Sequence, residues 1–381
     1  MIKILLCFIL LLALGAGGIY LYIGQAKFGR IPQGERLNRI HQSPNYRNGE
    51  FHNREPFSLL TKDGAFSSLI KFVFRNGDNL APAAPMPVVK TNIKELDPNQ
   101  DVVVWLGHSS FFVRLNGRAI LIDPVFSDHA SPVWFSTRAF AGTSLYTADD
   151  MPFIDCLLIS HDHWDHLDYD TVTALRPKIG QVVTGLGVGE HFARWGFSDA
   201  IVHEADWDED VRIDDTLVIH VLTARHFSGR LLDRNKSLWV SFAMETPGRK
   251  IFYSGDSGYG QHFKAIGERF GGFDFAMLEC GQYNEDWPDV HMMPEQSVQA
   301  AADLRAGAAM PAHNGKFSIA YHSWDEPFER FSNASSGKPF HLVTPRIGES
   351  VNLSGQALPH AQWWNMQNMQ PTDGVKTIVI K

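Results

Sequence analysis

Residues Ile4 to Ile23 form an apolar run without a single charge, long enough to cross a bilayer as one helix. Ala13-Leu-Gly-Ala16 and Gly17-Gly18 offer small residues for a signal-peptide cut. The apolar run nevertheless continues through Ile19, Leu21 and Ile23, which favours a retained anchor. Lys3 precedes the run, and Lys27, Arg30, Arg36 and Arg39 follow it, so the charge asymmetry assigns no side of the membrane. Segment 1–24 is thus expected to be a membrane anchor or signal segment, making the protein membrane-associated.

From residue 25 to 99 the pattern loses periodicity. Asn, Pro, Gly and Arg are frequent, and Ala81-Pro-Ala-Ala-Pro-Met-Pro87 is studded with proline. This reads as an irregular arm lying over a domain, with one short helix near Ser67 to Phe74. Strand-like runs begin at Val102–Leu106, Phe111–Leu115 and Ala119–Asp123, the last two separated by Asn116-Gly117, a strong hairpin signal. Further runs occur at Cys156–Ser160, Gln181–Thr184, Leu217–Leu222, Leu238–Met244, Lys250–Ser254, Phe275–Glu279, Ala308–Ala312 and His341–Val343. Helical patterns fall between them at Tyr169–Leu175, Val188–Trp195, Gln261–Phe270, Pro294–Arg305 and Glu326–Asn333. Antiparallel hairpins followed by strands alternating with helices predict an α/β fold, with two mixed sheets packed together and helices outside, over residues 100–381.

Composition changes this picture little: 381 residues, 44% hydrophobic and 20% charged, suffice for a sizeable core. A net charge of −8 without a Lys/Arg cluster argues against a nucleic-acid partner. Cys7, Cys156 and Cys280 lie far apart in apolar settings, which implies no disulfide framework and no activated thiol. Gly-x-Ser-x-Gly is absent, so no serine-nucleophile elbow competes for the chemistry.

Candidate chemistry follows the buried run Cys156–Ser160. The next residues are His161-Asp-His163-Trp-Asp165-His166-Leu-Asp168. Imidazole and carboxylate donors suit zinc and similar cations, and this close spacing in a loop lets His161 and His163 reach one ion while Asp165 and His166 reach a second. Three other strand-like runs end in donors: Leu222–His226, Ile251–Asp256 and Met310–His313. Together they supply five histidines and two aspartates, the count that two-metal hydrolysis requires.

The order His161-x-His163-x-Asp165-His166, then His226, Asp256 and His313, resembles the motif pattern of the metallo-β-lactamase superfamily, whose fold is a four-layer αβ/βα sandwich. Leu106-Gly-His-Ser-Ser110, Ile122-Asp-Pro-Val-Phe126, Ile159–Asp168, Ser254–Tyr259 and Ala312–Phe317 resemble the N-acyl-phosphatidylethanolamine-hydrolysing phospholipase D branch and its bacterial relatives. The resemblance runs from about residue 50 to 350 and implies two zinc ions per chain. One would be held by His161, His163 and His226, the other by Asp165, His166 and His313, with Asp256 bridging. It also implies a substrate-side loop with Tyr283, Trp287 and His291, and places His108 and Asp123 behind the ligands to orient them. The expected activity is phosphodiester hydrolysis of a phospholipid or similar amphiphile by a hydroxide shared between the cations. Asp165 and Asp256 would act at the metals, and His291 as acid for the leaving alcohol. A lactone or β-lactam hydrolase is the alternative on the same residues, and a nuclease a more remote one. The apolar start and the tail after Ser350, with Trp363-Trp364, fall outside the resemblance, which therefore assigns no oligomeric state.

Overall fold

A computed structural model of the protein describes residues 2–61, 79–230, 233–354 and 358–365. The helix expected near Ser67 to Phe74 lies outside these. A two-stranded ribbon, β1 (Tyr46–Arg47) with β2 (Glu50–Phe51), precedes two larger sheets.

The first sheet contains β3 (Val102–Gly107), β4 (Ser110–Leu115), β5 (Arg118–Ile122), β6 (Ile154–Ile159), β7 (Ile179–Gly185), β8 (Val202–Ala205) and the late β16 (Ser350–Asn352). Their order is β16-β3-β4-β5-β6-β7-β8. The second contains β9 (Asp210–Arg212), β10 (Val218–Thr223), β11 (Val240–Thr246), β12 (Arg249–Tyr253), β13 (Phe273–Glu279), β14 (Ala306–Ala312) and β15 (His341–Leu342), in the order β15-β14-β13-β12-β11-β10-β9. Each sheet starts with antiparallel pairs and finishes with parallel ones: β5 to β8 in the first, β12 to β15 in the second.

Side chains alternate across a strand, so each sheet buries two faces. Val103, Trp105, Phe111, Val113, Ile120 and Leu158 meet Ile219, Val221, Phe242, Met244, Tyr253 and Met277 between the sheets. The opposite face of the first sheet, with Val104, Phe112, Leu121 and Leu157, is covered by α3 (Tyr169–Leu175) and α4 (Gly189–Arg194) through Val172, Leu175 and Phe192. That of the second, with Phe252 and Leu278, is covered by α5 (His262–Phe270), α6 (Pro294–Asp303) and α7 (Glu326–Ala334) through Phe263, Val298 and Phe331. The outcome is the expected α/β sandwich of helices, sheet, sheet and helices.

Two helices lie before the sandwich. α1 (Ile2–Ile23) has no buried residue, and it alone among the described helices is long and apolar enough to cross a membrane. α2 (Gly34–Ile40) packs Ile40 into the core, and Arg36 pairs with Glu204 (2.6 Å) and Glu190 (3.4 Å). The arm continues over the domain: Phe51 N donates to Asn235 O at 2.9 Å, and Val89 N to Ile347 O at 2.9 Å. Strands β8, β9 and β16 were not expected from sequence, being three or four residues long. The described residues after Ser350 pack onto the sandwich. β16 pairs with β3, and Trp363 and Trp364 are buried against Trp105 and Phe328.

Candidate metal centre

Strands β3, β5 and β6 of the first sheet and β10, β12, β13 and β14 of the second run in the same sense within their sheets. Their C-terminal ends bring His108, Asp123, His161, His226, Asp256 and His313 to one edge. Each apolar run ends where the chain leaves the sheet, so the first polar residue after it falls on the rim of the crevice between sheets. Backbone bonds tie the sheets together there: His108 N donates to Asn314 O and His313 N to His108 O, both at 3.1 Å, and Val240 N to Ser160 O at 2.9 Å. His108, Asp123 and His313 hold positive φ values of 53°, 39° and 63°, sparsely populated backbone of a kind that clusters at functional sites. Gly255 has φ 56°, and a Cβ there would meet Val240 O at 2.6 Å, so this position ahead of Asp256 requires glycine.

The donors form two clusters sharing Asp256. In the first, His163 Nδ1 lies 2.8 Å from His161 Nε2 and 3.3 Å from His226 Nε2, while Asp256 Oδ2 stands 3.8 Å and 3.7 Å from the same two nitrogens of His161 and His226. In the second, His166 Nε2 is 3.6 Å from Asp165 Oδ2 and 3.1 Å from Asp256 Oδ1, and His313 Nε2 is 3.9 Å from Asp165 Oδ2. His108, Asp165, His166 and His313 present ligand atoms within 4.8 Å of one another, as do His161, His163, His226 and Asp256, and as do Asp256, His291 and His313.

The outward nitrogens are already engaged. His166 Nδ1 is 2.8 Å from Asp123 Oδ2, His161 Nδ1 3.0 Å from Ser160 Oγ and His226 Nδ1 3.1 Å from Val290 O, while His313 Nδ1 lies both 2.9 Å from Ser109 Oγ and 3.3 Å from Asp256 Oδ1 inside the cluster. Such partners fix ring orientation and leave the other nitrogen free for a cation. His166 Nε2 and Asp256 Oδ1, though close, are poorly aligned, and both are buried without a hydrogen bond. Buried polar atoms are rarely left unpaired. The seven donors and these two orphan atoms fit metal ions.

For four of the candidate imidazoles electrostatics agree with this reading. Burial pushes the His161, His226 and His313 imidazoles well below their ordinary range and His163 to about 4, keeping them neutral, as ligands must be. Burial also opposes charge on His166, but Asp256, Asp165 and Asp123 outweigh it and hold that ring well above its usual value. Burial raises Asp256 to about 7, against the pull of His166.

The structure brings together all seven candidate ligands, with His108 and Asp123 behind them: His108 Nε2 lies 3.0 Å from Asp165 Oδ2. His291 stands at the same edge, its ring 5.2 Å from those of His226 and His313. Trp287 is half-buried, its Nε1 donating to Gln282 O at 3.0 Å. Tyr283 is buried, with its hydroxyl donating to Glu326 at 2.9 Å and its ring stacked on His322, so its polar group is already used in packing this loop. Sequence reasoning missed Glu279, the fully buried last residue of β13, which hydrogen-bonds His291 Nδ1 through one oxygen and accepts from Ser257 N at 2.5 Å through the other. It also missed Arg230. That buried guanidinium donates to Asp162 O (2.9 Å) and Leu167 O (2.7 Å) on the ligand loop and to Lys27 O (2.9 Å), and it stacks on Trp164.

A buried histidine and aspartate cluster on the common rim of an αβ/βα sandwich defines a metal-dependent hydrolase. Residues 118–314 match the beta-lactamase superfamily domain. The chain is 39% identical over 333 residues to an uncharacterized protein of Mycobacterium tuberculosis, covering 85% of this chain and 88% of that one. It is 30% identical over 298 residues to N-acyl-phosphatidylethanolamine-hydrolyzing phospholipase D 1 of Caenorhabditis elegans, covering 71% and 82%. In fold it resembles Igni18, a metallo hydrolase of the archaeon Ignicoccus hospitalis, with TM-score 0.52 and 21% identity over 66% of this chain and 97% of that one. The chain belongs to the metallo-β-lactamase superfamily of hydrolases.

Proposed function

We propose that the protein is a dinuclear zinc phosphodiesterase of phospholipase D type, acting on a phospholipid or similar amphiphile and held at a membrane by α1. The observation that carries this reading is the pair of donor clusters sharing Asp256. His161, His163 and His226 would hold one ion, Asp165, His166 and His313 the other, and Asp256 would bridge them. Nitrogen-rich donors mixed with carboxylates favour zinc. When bound, such ions supply Lewis acidity toward phosphoryl oxygens and make water acidic enough to attack at neutral pH. The name of the Caenorhabditis elegans relative, which matches 71% of this chain, supports the substrate class.

The protein's own groups have separable tasks. Asp165, its Oδ2 fixed by His108 Nε2 at 3.0 Å, would accept a proton from the attacking water. His291, with Nδ1 held by Glu279, would protonate the departing alkoxide. Asp123 orients His166, and Trp287 flanks the substrate.

The test is a hydrolysis screen of the zinc-loaded protein against N-acyl-phosphatidylethanolamine, other phospholipids, a bis-aryl phosphate and a lactone, with Asp256→Asn as blank. Phosphatidic acid and a released head-group alcohol are expected. Lactone turnover without phosphodiester turnover would replace this reading with a carboxylic-ester one.

A further inference from the structure

The segment leaving β5 toward the metal centre projects a finger whose tip is apolar and bare. Trp134 is 72% and Phe135 65% exposed, with their rings perpendicular at 5.7 Å. The finger is a closed turn: Ala130 N donates to Thr137 O at 3.0 Å and Ala139 N to Asp128 O at 2.9 Å. Its base is rooted beside the donors. Ser127 Oγ donates to Asp168 at 2.6 Å, Phe140 N to Lys316 O at 2.8 Å, and Val125 and Ala130 pack on Phe317, whose ring stands 5.2 Å from His108.

The end of α1 is clamped to this finger. Tyr22 OH donates to Pro132 O at 2.5 Å and Lys27 Nζ to the same oxygen at 2.7 Å, two residues before Trp134. Two more exposed apolar side chains are Ile31 (48%), which follows α1, and Ile319 (44%), which follows His313, and the exposed Arg138 supplies a cation at the finger's base. Adjacent exposed aromatics are uncommon on a soluble surface. Tryptophan with a neighbouring cation is the chemistry of a membrane interface, where the ring sits at head-group depth and the cation meets lipid phosphate.

We propose that Trp134 and Phe135 seat in the interface of the bilayer that holds α1, so that the rim carrying the donor clusters lies against the membrane and draws an amphiphilic substrate from the leaflet. This rests on reading α1 as a membrane anchor. The fixed contact between α1 and Pro132 selects a lipid surface over a protein partner, because a helix leaving the bilayer at Ile23 sets the finger at the depth where the bilayer ends.

The full chain carrying Cys7→Ser and Trp134→Cys is labelled at residue 134 with an environment-sensitive fluorophore and reconstituted in vesicles of phosphatidylethanolamine and phosphatidylglycerol. The expected result is a blue-shifted emission quenched by lipids spin-labelled near the head group, while the same label at Lys338→Cys reports water. Carbonate extraction of the unlabelled chain tests the anchor separately. In the doubly substituted Trp134→Ser, Phe135→Ser chain, turnover of vesicle phospholipid should fall at least about tenfold, since interfacial binding scales with buried apolar area, with bis-aryl phosphate turnover unchanged. A carbonate-resistant chain whose label reports water, or whose double variant keeps full vesicle turnover, overturns the inference and leaves the anchor standing. A chain washed off by carbonate overturns both. A blue shift that appears without vesicles and grows with protein concentration assigns the finger to a protein contact and also overturns it.

Discussion

Asp123 Oδ2 lies 2.8 Å from Nδ1 of His166, and the same carboxylate accepts from Ser160 N (2.8 Å), Ser160 Oγ (2.5 Å) and Tyr253 OH (2.6 Å). One buried side chain therefore orients a candidate ligand and satisfies three other donors. Asp123→Ala should weaken zinc binding by about 10- to 100-fold and destabilise the fold by about 3 kcal/mol through donors left unpaired. Chelator competition and urea unfolding measure the two effects. Unchanged zinc affinity in a folded variant would show that Asp123 does not act through His166.

The two donor clusters predict close to two zinc-like ions per chain. Binding to the folded state alone raises stability by mass action, about 4 kcal/mol when free zinc exceeds its Kd a thousandfold. Elemental analysis after zinc loading and thermal melts with and without chelator are the measurements. Less than one tightly bound ion per chain would sink the dinuclear reading.

Asp256→Asn should reduce turnover by at least about a hundredfold, the scale expected when one preorganised electrostatic element is lost, with part of the metal retained. A shared carboxylate touches both clusters, whereas an unshared ligand touches one. Rates within a few-fold of the parent in a folded variant would reduce Gly255-Asp256-Ser257-Gly258 to an ordinary turn.

Removing residues 1–24 should release the protein from membranes and leave turnover of a soluble phosphodiester intact. A cut extended through Arg30 should behave differently. It deletes the buried Phe28, which packs on Trp164, and the Lys27 carbonyl used by Arg230, with an expected cost of about 3 kcal/mol in urea unfolding. Equal stability of the two truncated chains would show that the stub after α1 carries no load.

Burial lowers the Lys316 ammonium to about 8, where its Nζ donates to Val125 O at 2.6 Å. The unfolded chain keeps that proton until about pH 10.4. Below 8 both states are protonated and the penalty is constant; from 8 to 10.4 the unfolded state binds more protons, so stability rises with pH. The contribution approaches about 3 kcal/mol. Urea unfolding at pH 8 and pH 10 should show the parent gaining on Lys316→Met across this window, and parallel behaviour of the two proteins would contradict it.

What sequence could reveal followed from contrast. His161, His226, Asp256 and His313 stood out because each interrupts or ends an apolar run, and the geometry gathers all four at one rim. Glu279 also ends such a run, yet a single acid at a strand exit is indistinguishable from a solvated one until His291, twelve residues later, is seen against it. Arg230 was invisible for a related reason. Its partners, Lys27, Asp162 and Leu167, come from two distant segments and offer backbone carbonyls, which carry no residue-type signature. Strands β8, β9 and β16 escaped because three or four residues cannot display a period, and Trp363 and Trp364 because a pair of aromatics near a terminus gives no hint of the Trp105 surface that receives them.

The bond from Arg230 to Lys27 O spans 203 residues. A chain made from its N-terminus must carry Lys27 and Phe28 without their partners until Arg230 has left the ribosome, and contacts of such long sequence separation form slowly. The loop from His161 to Leu167 thus gains the Arg230 brace only after every one of its own residues has been made, and Ser237, which donates to Asp162 at 2.9 Å, arrives later still.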